Sequence, residues 1–171
     1  TVIATIFFFM APHAPGTTPS VTPSPDTTLS LSATAPTVTI DQALAQVDPT
    51  NVSPINFTVV FNEATTNFAT GDVTLGGTAG ATTATVTGGP TTYNVAVSGM
   101  TGDGTVIATI AAGVASDSLG NGNTASTSTD NTVTYDTTAP IVTIDQTLAQ
   151  PDPTGASPIN FIVVFNETTA N

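Results

Sequence analysis

Apolar side chains recur at every second position of this chain in short runs, and turn-forming residues separate the runs. Between residues 55 and 61, Ile55, Phe57, Val59 and Phe61 alternate with Asn56, Thr58 and Val60. Successive side chains of a strand point to opposite faces, so this run predicts a strand with one buried face. The same reading places strands at 37–41 (Val38, Ile40 inward), 72–76 (Val73, Leu75) and 82–87 (Ala84, Val86). It places three more at 92–98 (Tyr93, Val95, Val97), 105–111 (Val106, Ala108, Ile110) and 131–136 (Val133, Tyr135). Phe68 is expected to fold inward ahead of the third strand. No long window carries a 3.6-residue period. The expectation is an all-β chain built as an antiparallel β-sandwich of seven short strands.

A second pattern lies above the first. Residues 35–67 and 139–171 align without a gap at an offset of 104, with 25 of 33 positions identical. TVIATI at 1–6 returns at 105–110 with the same offset. The period divides the chain into three parts. Residues 1–34 read as the end of a preceding, divergent repeat plus a Pro/Ser/Thr linker. Residues 35–138 read as one complete repeat, and 139–171 as the start of the next. Both ends fall inside repeats, as expected of a piece of a longer array. The copies also support the strand register. Thr58 becomes Ile162, as an outward position tolerates, while Ile55, Phe57, Val59 and Phe61 return as Ile159, Phe161, Val163 and Phe165.

Composition narrows the function. Lys and Arg are absent against 12 acidic residues, giving a net charge of −12. Without cations the chain cannot neutralise phosphates, so no nucleic-acid partner is expected. Docking on anionic lipid is disfavoured for the same reason, and no membrane insertion is expected of this segment. There is no Cys, which excludes disulfides, and the lack of Lys excludes a Lys–Asn isopeptide staple. His13 is the single His, too few for a familiar zinc site. It has no nucleophile motif around it, so the chain is not expected to be an enzyme.

DTTAP at 136–140, VTID at 142–145, DPTNVSPINFTVVFNE at 48–63 and GVASDSLGNGN at 113–123 carry a more specific signal. Together they resemble the tandem Ig-like repeats of large bacterial surface and biofilm adhesins and extracellular filament proteins. The resemblance covers residues 35–171 well and 1–34 poorly. It implies an Ig-like fold in tandem array, a place outside a prokaryotic cell, and a structural role in a fibre, often with Ca²⁺ stiffening the junctions. The alternative is an adhesin module that binds a glycan or host receptor through its loops. With no Trp and both Tyr expected inward, the chain offers little aromatic platform for a glycan.

In an Ig-type sandwich the loop after the first strand, the loop after the fifth and the end of the seventh share one pole. Asp48, Asp103 and Asp136 are therefore expected together, facing Glu167 of the next repeat. Glu63 and Asp117 are expected at the opposite pole. Ca²⁺ takes six to eight oxygens, and clustered carboxylates without a basic partner need a cation between them. These six residues are the candidate calcium ligands; the plainer reading makes them turn formers. DSLGNGN at 117–123 reads first as a Gly/Asn turn and second as a cation wrap. The most apolar stretch supplies a candidate assembly strand, with Val2, Ile3, Ala4, Ile6, Phe7, Phe8, Phe9 and Met10 available to complement a neighbouring copy. Asn51, Asn56 and Asn166 lie in glycosylation sequons.

Overall fold

The computed structural model describes residues 33–168. Residues 1–32, with the candidate assembly strand and His13, and residues 169–171 lie outside the described residues. Nine strands follow one another: β1 (Val38–Gln42), β2 (Ile55–Phe61), β3 (Val73–Gly76), β4 (Thr83–Gly88), β5 (Thr92–Ser98), β6 (Gly104–Ile110), β7 (Thr132–Tyr135), β8 (Val142–Gln146) and β9 (Phe161–Phe165). No helix occurs among the described residues. One sheet runs β1-β2-β5-β4, a second runs β3-β6-β7, and β8 pairs with β9 alone. All these strand pairs are antiparallel. The seven expected strands of residues 35–138 are all present, with ends displaced by no more than one residue.

The inner faces of both sheets form one core, as in a β-sandwich. Ile40, Phe57, Val59, Val95, Val97, Val106 and Val133 are all fully shielded from solvent. The expected alternation is therefore real on β1, β2, β5 and β6. Val73, Leu75, Ala84 and Val86 are only half-buried against this core. Their strands β3 and β4 are the edges of their sheets, so each has a neighbour on one side only. Phe68 does fold inward. Its ring centroid lies 5.3 Å from that of Phe61 and 5.0 Å from that of Tyr93, both edge-to-face. Tyr93 keeps its hydroxyl satisfied inside this cluster, 3.0 Å from Thr65 Oγ1.

Two features were not legible in the pattern. The first is a second partner for β1. Before β7 begins, residues 127–130 run parallel to β1, with Thr127 N donating to Val38 O (3.0 Å), Ile40 N to Thr127 O (3.1 Å) and Gln42 N to Asp130 O (2.6 Å). That Ser/Thr-rich stretch has no apolar alternation to mark it as paired. The second is the tight crossing of the β3–β4 turn over the start of β6. Gly77 has φ of +96°, and a Cβ there would lie 2.1 Å from Thr105 O. Only glycine fits.

The β8–β9 hairpin repeats β1–β2 in register. Val142 opposes Phe165 and Ile144 opposes Val163, as Val38 opposes Phe61 and Ile40 opposes Val59. Even the side-chain ties recur. Asn62 Oδ1 accepts from Thr37 N, and Asn166 Oδ1 from Ile141 N. Gln46 Oε1 accepts from Asn56 N, and Gln150 Oε1 from Asn160 N. The surroundings differ completely. Phe57 is 0% exposed and its counterpart Phe161 is 58% exposed.

Candidate functional site

The end of β7 brings together the residues that leave the complete sandwich. Strand β7 is held from one side by the β1–β2 loop. Thr134 N donates to Asp48 Oδ1 at 2.9 Å, Thr50 N to Thr134 O at 2.9 Å, and Asp136 N to Thr50 O at 3.0 Å. From the other side comes the β5–β6 turn. Asp103 Oδ1 accepts from both Thr137 N and Thr137 Oγ1 at 2.7 Å, and its Oδ2 accepts from Thr138 Oγ1. Asp136 Oδ1 closes the turn by accepting from Thr138 N at 3.0 Å. The hydroxyls of Thr138 and Thr137, with the Thr137 amide, hold the Asp103 carboxyl below the usual Asp range against the opposing effect of desolvation.

Asp48, Asp103 and Asp136 thus share one pole of the sandwich, as the loop topology required. They meet through the segment 134–138 that all three grip. An open groove beside them is lined by Val47, Pro49, Asn51, Asp136, Thr138 and Thr168. Thr168 follows Glu167, so the second hairpin reaches this pole too. Glu167 itself is half-buried, and its Oε1 is shielded without a hydrogen-bond partner.

At the opposite pole the β2–β3 and β6–β7 loops meet. Thr66 N donates to Ser116 O at 2.9 Å, and Ser116 N to Asn67 Oδ1 at 2.7 Å. Asp117 is buried and turned onto its own loop. Its Oδ1 accepts from Leu119 N and Asn121 N, both at 2.8 Å, and its Oδ2 from Asn121 Nδ2 at 2.7 Å. The Asn121 side chain leads in lowering its pKa; desolvation opposes, and the amides of Asn121, Leu119 and Gly120 add to the lowering. DSLGNGN is therefore a self-satisfied turn. Glu63 is half-buried nearby in sequence to Thr65 and Thr66.

A calcium shell needs several free oxygens on one point. Among the described residues no three acidic or His side chains gather as a metal-holding group. The oxygens of Asp103 and Asp117 accept from amides and hydroxyls, and Glu167 Oε1, the one buried oxygen without a partner among the described residues, makes no shell by itself. Of the sequon residues, Asn51 is exposed beside the groove, whereas Asn56 Oδ1 accepts from Asn94 Nδ2 and Asn166 Oδ1 from Ile141 N.

The sequence reading missed Asp41. Its Oδ1 accepts from Thr129 N (2.7 Å), Ser128 Oγ (2.9 Å), Asp130 N (3.0 Å) and Thr129 Oγ1 (3.2 Å). Desolvation pushes its carboxyl up, but the bonds from Asp130, Thr129 and Ser128 outweigh this and the net shift is downward. The available signal was an acid inside a strand, repeated as Asp145 in VTIDQ of the second copy.

Comparison with family profiles, characterised proteins and solved structures finds no match to this chain.

Proposed function

We propose that this chain is a structural module of an extracellular fibre, built from Ig-like sandwiches in tandem, and that it has no catalytic role. The strand orders β1-β2-β5-β4 and β3-β6-β7 support the Ig-like reading, since a constant-type Ig sandwich pairs its strands in that way. The tandem reading is supported by the second hairpin, which reproduces the first in register at an offset of 104. The place outside a prokaryotic cell rests on the resemblance of the quoted motifs to surface repeats.

The observation that carries a mechanical role is the grip of Asp103 on Thr137 and Thr138. A linker between domains bends wherever its backbone is free. Here Thr137 and Thr138, just beyond β7, are tied to the sandwich they have just left, and Pro140 restricts the chain shortly beyond. A force along the chain is thereby passed from one sandwich to the next through a short, fixed connection. In this reading the hinge is held by hydrogen bonds to hydroxyls and amides, with Ca²⁺ unnecessary to it.

Negative-stain electron microscopy of the chain, before and after EGTA, tests the proposal. The expected result is filaments or stiff beaded rods with a uniform repeat in both conditions. Isolated globular particles joined by bent, variable linkers would overturn the mechanical role.

A further inference from the structure

The first and last segments of the complete sandwich lie side by side. The chain comes in through β1, and residues 127–130 run parallel to β1 on the way to β7. Thr124 N donates to Pro36 O (2.9 Å) at the first rung, Thr127 N to Val38 O and Ile40 N to Thr127 O follow, and Gln42 N to Asp130 O comes last. Farther along, the β1–β2 loop keeps pace with β7. Thr50 and Tyr135 form a second parallel bridge, and Thr134 N donates to Asp48 Oδ1. β1 belongs to one sheet and β7 to the other, so these bonds cross between the sheets.

Parallel pairing of the first and last segments has a mechanical consequence. A pull on the two ends of the repeat draws β1 backward and residues 127–136 forward, so the segments must slide past each other. The rungs lie across that direction. Sliding strains all of them at once, whereas a pull that parts the segments from one end breaks them in turn. Asp41 adds to the resistance. It sits in β1, and its Oδ1 accepts four bonds from the amides and hydroxyls of residues 128–130. Bonds to a carboxylate are stronger than bonds between neutral groups.

We infer that the pairing of β1 with residues 124–130 is the force-bearing clamp of the repeat, and that Asp41 is the residue that fastens it. This deepens the fibre reading and rests on it, since a module in series with others is pulled at both ends. The bonds of Asp41 flank the last rung, from Gln42 N to Asp130 O, so β1 cannot slide along residues 128–130 without breaking them. Thr127 serves two rungs by itself, through its N–H and its carbonyl. The remaining sheet edges, β3 and β4, lie on the side away from β1 and β7 and so off the path of the pull. Burial of the core stabilises the sandwich whatever the direction of a force; the clamp resists along one direction.

The chain has no Cys, so two introduced cysteines fix where a single full-length chain is pulled. Thr34→Cys with Ala139→Cys, both at exposed positions, makes the clamp slide. Thr34→Cys with Ala125→Cys, also exposed, puts both handles at one end of the pairing and peels it rung by rung. Under one constant load, the sliding pair should outlive the peeling pair by about a hundredfold or more, the order expected when several bonds break together. Asp41→Ala should shorten the sliding lifetime about tenfold and leave the peeling lifetime unchanged. Asp41→Asn, which keeps an acceptor of the same shape, should fall between, and it carries the comparison if Asp41→Ala does not fold. Equal lifetimes in the two geometries overturn the inference. So does an Asp41 effect that is absent, or that is shared by both geometries as a general loss of stability would be. The measurement uses single chains and does not depend on assembly. Filaments without a clamp would leave the fibre reading standing, and a clamp in chains that form neither filaments nor rods would count against the fibre reading alone.

Discussion

Asp103 Oδ1 accepts two hydrogen bonds from Thr137, one from its amide and one from its hydroxyl, both at 2.7 Å. The two bonds fix the backbone and the side chain of one residue at once. An acid in the turn before β6 thereby sets the direction in which the chain leaves β7. Replacing it with Ala should free residues 137–138 while leaving the core intact. The expected outcome is at most a small drop in the unfolding midpoint of the sandwich, with a broader spread of hairpin orientations in residual dipolar couplings or solution scattering. An unchanged spread would remove Asp103 as the hinge.

Acid should act through the same groups. Asp41, Asp103 and Asp117 all have carboxyls lowered by the hydrogen bonds they accept. A carboxyl lowered on folding contributes stability that is fully present above its unfolded value, about 3.9. That contribution fades as pH falls from there through the lower folded values. The melting temperature should therefore lose its Asp-dependent part only below about pH 4. The triple Asn variant should show a flatter acid limb in a pH series.

Asp41 is the better target for stability. Four donors from residues 128–130 converge on one oxygen, and that segment is what covers the outer edge of β1. Asp41→Ala should cost about 1–2 kcal/mol in urea unfolding, the order expected when a partly exposed, charge-assisted set of bonds is returned to water. Amide exchange at Ile40 and Gln42, whose N–H groups bond into the same segment, should quicken with it.

The two hairpins form an internal control for burial. Phe57→Ala removes a fully buried ring and should destabilise the sandwich by about 3–5 kcal/mol. Phe161→Ala removes the matching ring from a face that is more than half open. At concentrations where the chain is monomeric it should leave the unfolding of residues 35–138 unchanged.

Chelation separates the hydrogen-bonded hinge from a metal clasp. EGTA is expected to leave the melting temperature and the scattering profile unchanged, because Asp103 is already occupied by Thr137 and Thr138. A drop of several degrees would place a divalent cation at one of the acidic groups.

The sequence by itself determined the strands, their inward faces and the period. Each is written locally: alternation marks Ile55 to Phe61 as half-buried whatever lies above it, and a 33-residue match needs no coordinates to be seen. It also placed Asp48, Asp103 and Asp136 at one pole, because strand reversal fixes which loops meet. What those acids do there was decided by the tertiary structure. An Asp reads the same in sequence whether it faces a cation or a hydroxyl, and only the path of residues 134–138 turns Asp103 toward Thr137. The pairing of 127–130 with β1, and with it the role of Asp41, was equally hidden, since Ser and Thr carry no periodic mark of burial. The exposure of Phe161 is the sharpest case. Its local sequence is that of Phe57, and the difference lies wholly in the opposite sheet, which is present over one hairpin and not over the other among the described residues. Alternation states which face a strand will bury; only the rest of the fold supplies the surface that buries it.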